Sequence, residues 1–185
     1  NNIKGIYLHL GEHSVLSAAA MEEIRAALLE FRASGKWVVA YEDYYSQMNY
    51  WFASVANRVF LNPVGNVEWH GLSSQVMFYK GLLDKLDIEP QIVRHGTFKA
   101  AVEPFMTTRM SEANRTQTQT LVNSLWRVMV EDVAVSRGLT PHYIELMADK
   151  LSVNNAAAAL EYGFVDGLMY ESEVEKFIAE VVADS

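Results

Sequence analysis

Trp37-Val38-Val39-Ala40-Tyr41 is a short apolar run preceded by Gly35-Lys36, and it reads as a β-strand. The stretch before it is helical. Ser17 can cap a helix reaching about Ser34, and Ile24, Ala27, Leu28 and Phe31 follow the i, i+3, i+4, i+7 spacing of a buried stripe. Arg32 and Lys36 suit the negative end of that helix, and Gly35 suits the left-handed position after it. Further upstream Ile3–Leu10 (IKGIYLHL) reads as a buried strand, with Gly11–Ser17 as a polar loop. Downstream come a helix near Ser46–Asn57 and a strand at Val59–Leu61. Strands alternating with helices imply parallel βαβ units, hence a layered α/β domain.

Asn62-Pro63-Val64-Gly65-Asn66 reads as a turn and Val67–Trp69 as a short strand. Ser74–Leu86 is expected as a helix with Val76, Tyr79, Leu83 and Leu86 on one face. Ile88–Arg94 is expected as a strand, at an edge near Pro90. The remainder is helical. Ser111 caps a helix to about Arg137, with Val122, Leu125, Trp126, Met129 and Val133 as its buried stripe and Gly138 at its end. Thr140-Pro141 is a cap followed by proline at the first helical position. Asn155–Tyr162 and Glu171–Val182 make two more helices. With no linker or repeat, residues 1–185 read as a single domain. The opening Asn1-Asn2-Ile3-Lys4 has no signal-peptide pattern and runs at once into a strand, as expected of a fragment truncated at both ends.

Composition excludes several classes. Half the residues are apolar and 21% are charged, an ordinary globular mixture. The net charge is -8, from 15 Lys+Arg against 23 Asp+Glu, with no basic cluster, so neither nucleic acid nor an anionic membrane surface is an expected partner. Cysteine is absent, which removes disulfides and cysteine zinc sites. No apolar run approaches the ~20 residues of a membrane span. Among His9, His13, His70, His95 and His142 no pair sits at i, i+4 and no HExxH occurs, so no metal site is read, and nothing calls for a cofactor. His9 is expected as a packed core histidine, with His95 a candidate to line the cleft of Lys99.

One segment carries chemistry. Gly96-Thr97-Phe98-Lys99-Ala100-Ala101-Val102-Glu103-Pro104-Phe105 resembles the lysine motif G-[TK]-[YF]-K-x-A-x-E-P-F of the signal peptide peptidase A (protease IV) family. Supporting matches are Tyr50-Trp51-Phe52-Ala53-Ser54, Ala56-Asn57-Arg58-Val59, Asn66–Gly71, Tyr79–Leu86 and Ala159–Leu168. The resemblance covers nearly the whole chain and is closest to the N-terminal half of the long, duplicated form. It implies a Clp protease/crotonase-like fold and a serine–lysine dyad with Lys99 as the catalytic general base. It also implies signal peptides as substrates, a homo-oligomer, and a membrane anchor in the bacterial cell envelope outside this segment, the segment itself being soluble. The chemistry is coherent: a serine hydroxyl needs a base, and a lysine of reference pKa ~10.4 serves only where it is held neutral. Burial does this by penalising the ammonium, and the neighbours of Lys99 are weakly polar, with no acid nearer than Glu103 on that side.

The chain departs from the family pattern twice. The nucleophile serine position falls on Gln47 and the two following glycine positions on Met48 and Asn49. Ser46 lies one residue early, about 100° away on a helix, and reads as a cap. The loop after the first strand, Gly11-Glu12-His13-Ser14-Val15, lacks the glycine pair that lets backbone N–H groups approach a substrate carbonyl. The isolated chain is therefore expected to be inactive, with the serine supplied by another half or a neighbouring subunit. Lys99 is then expected to be partly exposed here, on one wall of an open cleft beside an apolar interface patch. Glu103 is expected to hold local structure, and the Tyr41–Phe52 aromatic cluster to pack the core. The alternatives are a non-catalytic assembly module, and a crotonase-like domain that handles acyl-CoA thioesters.

Overall fold

The computed structural model describes residues 3–11, 17–92 and 100–183. In chain order these carry β1 (Gly5–Leu8), α1 (Ala18–Ala33), β2 (Trp37–Tyr45), α2 (Gln47–Ala53), β3 (Arg58–Val67), α3 (Lys80–Lys85), α4 (Glu103–Met106), α5 (Glu112–Arg137), α6 (Pro141–Asp149), α7 (Ala156–Glu161), β4 (Gly167–Leu168) and α8 (Glu171–Ala183). The chain forms two compact units, residues 72–128 and the remainder, with one boundary inside α5.

The larger unit is built on a four-stranded sheet of order β1-β2-β3-β4, every neighbour parallel. The parallel α/β architecture and the helical second part are as the sequence implies. Val39, Tyr41 and Phe60 face α8, where Val174, Phe177 and Ile178 cover them. Their alternates Val38, Ala40, Val59 and Leu61 are also buried, and α1 and α2 pack on β2. The aromatic cluster is core: Tyr41, Tyr45, Tyr50, Trp51 and Phe52 are all buried, and Tyr44 alone of the six is exposed. Tyr50 stacks on Phe164 at 5.2 Å and donates its hydroxyl to the Phe164 carbonyl at 2.7 Å.

The helix starts follow the local chemistry. Ser17, Ser46, Thr140 and Asn155 each accept a backbone N–H three residues on. Gly35 and Gly138, both with positive φ, follow α1 and α5.

Six expectations need correction. β1 is a half-buried edge strand of four residues, not a buried one of eight. The buried face of α1 is Met21, Arg25 and Leu28, while Ile24 is exposed. The helix is turned because the Arg25 guanidinium is useful inside: it donates to the carbonyls of Trp51 and Phe52 at the end of α2, and to the hydroxyls of Ser54 (2.9 Å) and Ser136 (3.2 Å). Residues 62–65 do not end a strand but bulge from β3, since Glu42 pairs with Leu61 and Tyr44 with Asn66. A Cβ on Gly65 would lie 2.2 Å from the Asp43 carbonyl, so the bulge requires glycine. Only Lys80–Lys85 of the expected 74–86 helix is helical, and 88–92 form no strand; Asp87 has φ 55 and Pro90 has no N–H for a ladder. In α5, Met129 and Val133 are buried as expected but Leu125 is exposed.

The corrected face of α1 gives a test. Arg25→Ala removes the one donor group shared by two carbonyls and two hydroxyls and should destabilise the chain by about 2–4 kcal/mol. Ile24→Ala should cost less than about 1 kcal/mol. Urea unfolding of the two variants checks this; the reverse order would restore the hydropathy-based face.

Candidate active site

The expected nucleophile position, Gln47, falls at the corner between β2 and α2. Here Ser46 is the cap of α2: its Oγ accepts the Asn49 N–H at 3.3 Å. The side chain is spent on the helix end, as the sequence implies. Gln47 follows as the first helical residue and is buried. Its Oε1 accepts the N–H groups of His70 and Gly71, both at 3.0 Å, and its Nε2 donates to the Gly71 carbonyl at 3.0 Å. Three backbone groups of the turn after β3 are thus held by one amide. A serine at position 47 is too short to make these three bonds, and the glutamine amide that makes them is not a nucleophile.

Leu10 and Gly11, the described residues just past β1, are held from inside. Glu42 of β2 is buried, and its carboxylate accepts the backbone N–H of Leu10 and, at 3.1 Å, that of Gly11. Asn49 Nδ2 donates to the Gly11 carbonyl at 3.3 Å. Gly11 has φ 65, which its lack of a Cβ permits. Residues 12–16, the rest of the expected oxyanion loop, lie outside the described residues. Desolvation raises the Glu42 carboxyl above the ordinary carboxylate range, opposed by the two backbone hydrogen bonds and by His9. Sequence reasoning passed over Glu42; its one signal is an acid directly following the apolar run of β2.

His9 is not a core residue. It lies just past β1, exposed, with Nε2 3.8 Å from Glu42 and Nδ1 3.3 Å from Glu171 at the start of α8. The strand ends at Leu8, so its alternation does not carry His9 into the core.

The lysine motif lies in the smaller unit. Lys99 and His95 fall outside the described residues, as does the expectation about the exposure of Lys99. Its second half is described. Ala100–Val102 form a 3-10 turn running straight into α4. Glu103 is buried, with Oε2 accepting the Ser111 N–H at 3.2 Å and the Asn114 Nδ2 at 3.0 Å, and Oε1 accepting the Ser111 hydroxyl. The Pro104 carbonyl accepts the Tyr79 N–H at 2.7 Å, and Phe105 stacks on Tyr79 at 5.6 Å. The glutamate, proline and phenylalanine of the motif therefore each make a tie, and Glu103 holds local structure as expected.

Among the described residues no three His, Asp or Glu side chains are placed to hold a metal, and no helix is long and apolar enough to cross a membrane.

A parallel α/β layer, a capped strand–helix corner and the lysine motif define a peptidase scaffold of the Clp protease-like kind. The chain belongs to peptidase family S49, whose pattern matches residues 30–183. It is 37% identical over 186 residues to Protease 4 of Salmonella typhi, covering 97% of this chain and 30% of that protein. It is 34% identical to Protease 4 of Haemophilus influenzae (94% and 29% covered) and 28% identical to the chloroplastic serine protease SPPA of Arabidopsis thaliana (96% and 26%). The chain thus spans less than a third of these relatives, a share that fits the N-terminal half of such a protein.

Two predictions follow from the corner and the closed loop. Gln47→Ser should lower stability by about 1–2 kcal/mol in urea unfolding, from three backbone groups losing their partner, and should confer no turnover of a fluorogenic peptide. For Glu42 the folded-state pKa lies above that of the unfolded chain, so its protonated form is favoured by folding. That contribution is complete below the unfolded-state value and is lost as pH rises through the folded-state value. Glu42→Gln removes the dependence, so its melting temperature relative to the parent should be higher at pH 7 than at pH 4. A difference that is flat or falls over that range would contradict the raised carboxyl.

Proposed function

We propose that this chain is the base-supplying half of a serine–lysine dyad endopeptidase that degrades signal peptides after their release from secreted proteins. The observation that carries the reading is the pairing of an intact Gly96–Phe105 motif with Gln47 at the nucleophile corner. In this reading residues 1–185 act as one unit of a duplicated protein. Lys99, neutral in the assembled cleft, takes the proton from the Oγ of a serine carried by another half or a neighbouring subunit as that oxygen attacks the scissile carbonyl. It returns the proton to the leaving amine. The oxyanion donors come from the serine-bearing half, because Glu42 already accepts the N–H groups of Leu10 and Gly11. The full protein is a membrane-anchored homo-oligomer of the bacterial cell envelope, with peptides rather than nucleic acid as its substrates.

The test is substitution of Lys99 in the full-length protein. Arginine keeps charge and length but stays protonated, so Lys99→Arg and Lys99→Ala should both lose at least about a thousandfold in kcat while still assembling, as judged by size-exclusion chromatography. Near-normal turnover by Lys99→Arg would remove the general base. Normal turnover by Lys99→Ala would leave the segment as an assembly module. The 185-residue chain alone should hydrolyse the peptide at the rate of buffer. Turnover abolished by Ser46→Ala would overturn the assignment of the nucleophile position to Gln47.

A further inference from the structure

The smaller unit holds a cavity of about 500 Å³, lined from two stretches, 72–78 and 109–122. Two arginines line it, Arg109 just before α5 and Arg115 near its start, and no acidic side chain does. In a chain of net charge -8 this is the reverse of the average surface. Among the described residues neither guanidinium is in an ion pair. Asp84 takes Lys80 instead, and the Glu103 carboxylate is turned to Ser111 and Asn114. Two like charges on one cavity repel, and an anion shared between them removes that cost. The hydroxyls of Ser73 and Ser74 add neutral donors to the same lining.

The rest of the cavity is apolar, and part of its backbone is open. Val76 and Phe78 line it half-buried, whereas Met77 between them is 64% exposed, the two-residue alternation of an extended chain. Residues 72–78 form no regular element, and among the described residues their N–H and C=O groups make no hydrogen bond to another part of the chain. An extended stretch with free backbone groups can pair with a second extended chain. Paired arginines, an apolar wall and open backbone together match the end of a peptide. Its α-carboxylate, its last side chain and its preceding amide groups each find a counterpart.

We infer that this cavity binds the free C-terminal carboxylate of a peptide with an apolar end, Arg109 and Arg115 holding the carboxylate and Val76 and Phe78 the last side chain. Cutting a peptide bond creates such a carboxylate, whereas the uncut chain has an amide at the same place. The site therefore tells a peptide already released from its precursor from the same sequence still within it. The carboxylate site stands on the cavity alone; its use in choosing substrates rests on the proposal that released signal peptides are what the full protein degrades.

The probe for the test is a short leucine- and alanine-rich peptide, labelled with fluorescein at its N-terminus and ending in either a free carboxylate or a carboxamide. Its binding to the full-length protein carrying Lys99→Ala, chosen to prevent turnover, is followed by fluorescence anisotropy. The acid should bind at least about fivefold more tightly than the amide at low salt, as expected of exposed ion pairs, and the preference should shrink at high salt. Arg109→Gln with Arg115→Gln should bring the acid to the affinity of the amide and leave the amide within about twofold of its former value. Both arginines are exposed, so this variant should fold, as circular dichroism checks. Arg109→Lys with Arg115→Lys keeps the charge without the planar fork and should give a smaller preference; if the glutamine pair does not fold, the lysine pair decides. Equal binding of acid and amide by the parent overturns the inference, as does a preference undiminished in these variants. So does displacement of the acid probe by decanoate as readily as by unlabelled acid peptide, which would make the cavity a fatty-acid site. The two readings fail separately. Anisotropy that decays as the probe is cut shows that Lys99 is not the base, and the comparison, read at zero time, still decides the site. A protein that prefers the acid yet degrades uncut precursors as fast as released signal peptides keeps the site and loses its role in choosing substrates.

Discussion

The carboxylate of Asp166 joins three stretches that are far apart in the chain. Its Oδ2 accepts the Val59 N–H at 2.7 Å, at the start of β3, and Arg137 grips both of its oxygens at 2.9 and 3.0 Å from the end of α5. The Asp166 N–H in turn donates to the Val59 carbonyl at 2.8 Å, and Arg137 Nε reaches the Gly163 carbonyl. Such two-pronged pairs are geometrically exacting. This one fixes the 163–166 loop against the sheet, and with it β4 and the α8 helix that follows. Without α8, Val39, Tyr41 and Phe60 would face water. The placing of β4 beside β3 and the burial of one face of the sheet are both supported by that carboxylate.

The same economy recurs at the candidate site. Arg25, Glu42, Gln47 and Glu103 are all buried, and each of them bonds main-chain groups at the end of an element. Ends of helices and strands are where backbone donors and acceptors run short of partners. A long polar side chain that reaches such an end replaces water and permits the end to be enclosed. At the Gln47 corner one amide bonds three backbone groups, more than a hydroxyl at that position could reach.

How much of this was legible in the sequence follows the range of the forces involved. The caps at Ser17, Ser46 and Thr140 were readable because a side chain and an N–H three residues on need no tertiary context. The parallel sheet was readable from alternating apolar runs. The face of α1 was not, because hydropathy counts Arg25 as a surface residue and its partners lie 26 to 111 positions away. The end of β1 before His9, the bulge at 62–65 and the two-residue strand β4 are likewise decided by neighbours distant in sequence. Lys99 was singled out by a motif alone and lies outside the described residues, and the amide of Gln47 and the carboxylate of Glu42 could be located only once their backbone partners were placed.

In the second half of the motif Glu103, Pro104 and Phe105 each make a tie: one to α5 and two to Tyr79. A lysine base makes heavier demands on placement than a histidine does. Its amine sits on four flexible methylenes and has no second nitrogen for a neighbouring group to hold. Orientation therefore has to come from the backbone that carries it. The described segment after position 99 carries three ties within three residues, and these account for the glutamate, proline and phenylalanine of the motif.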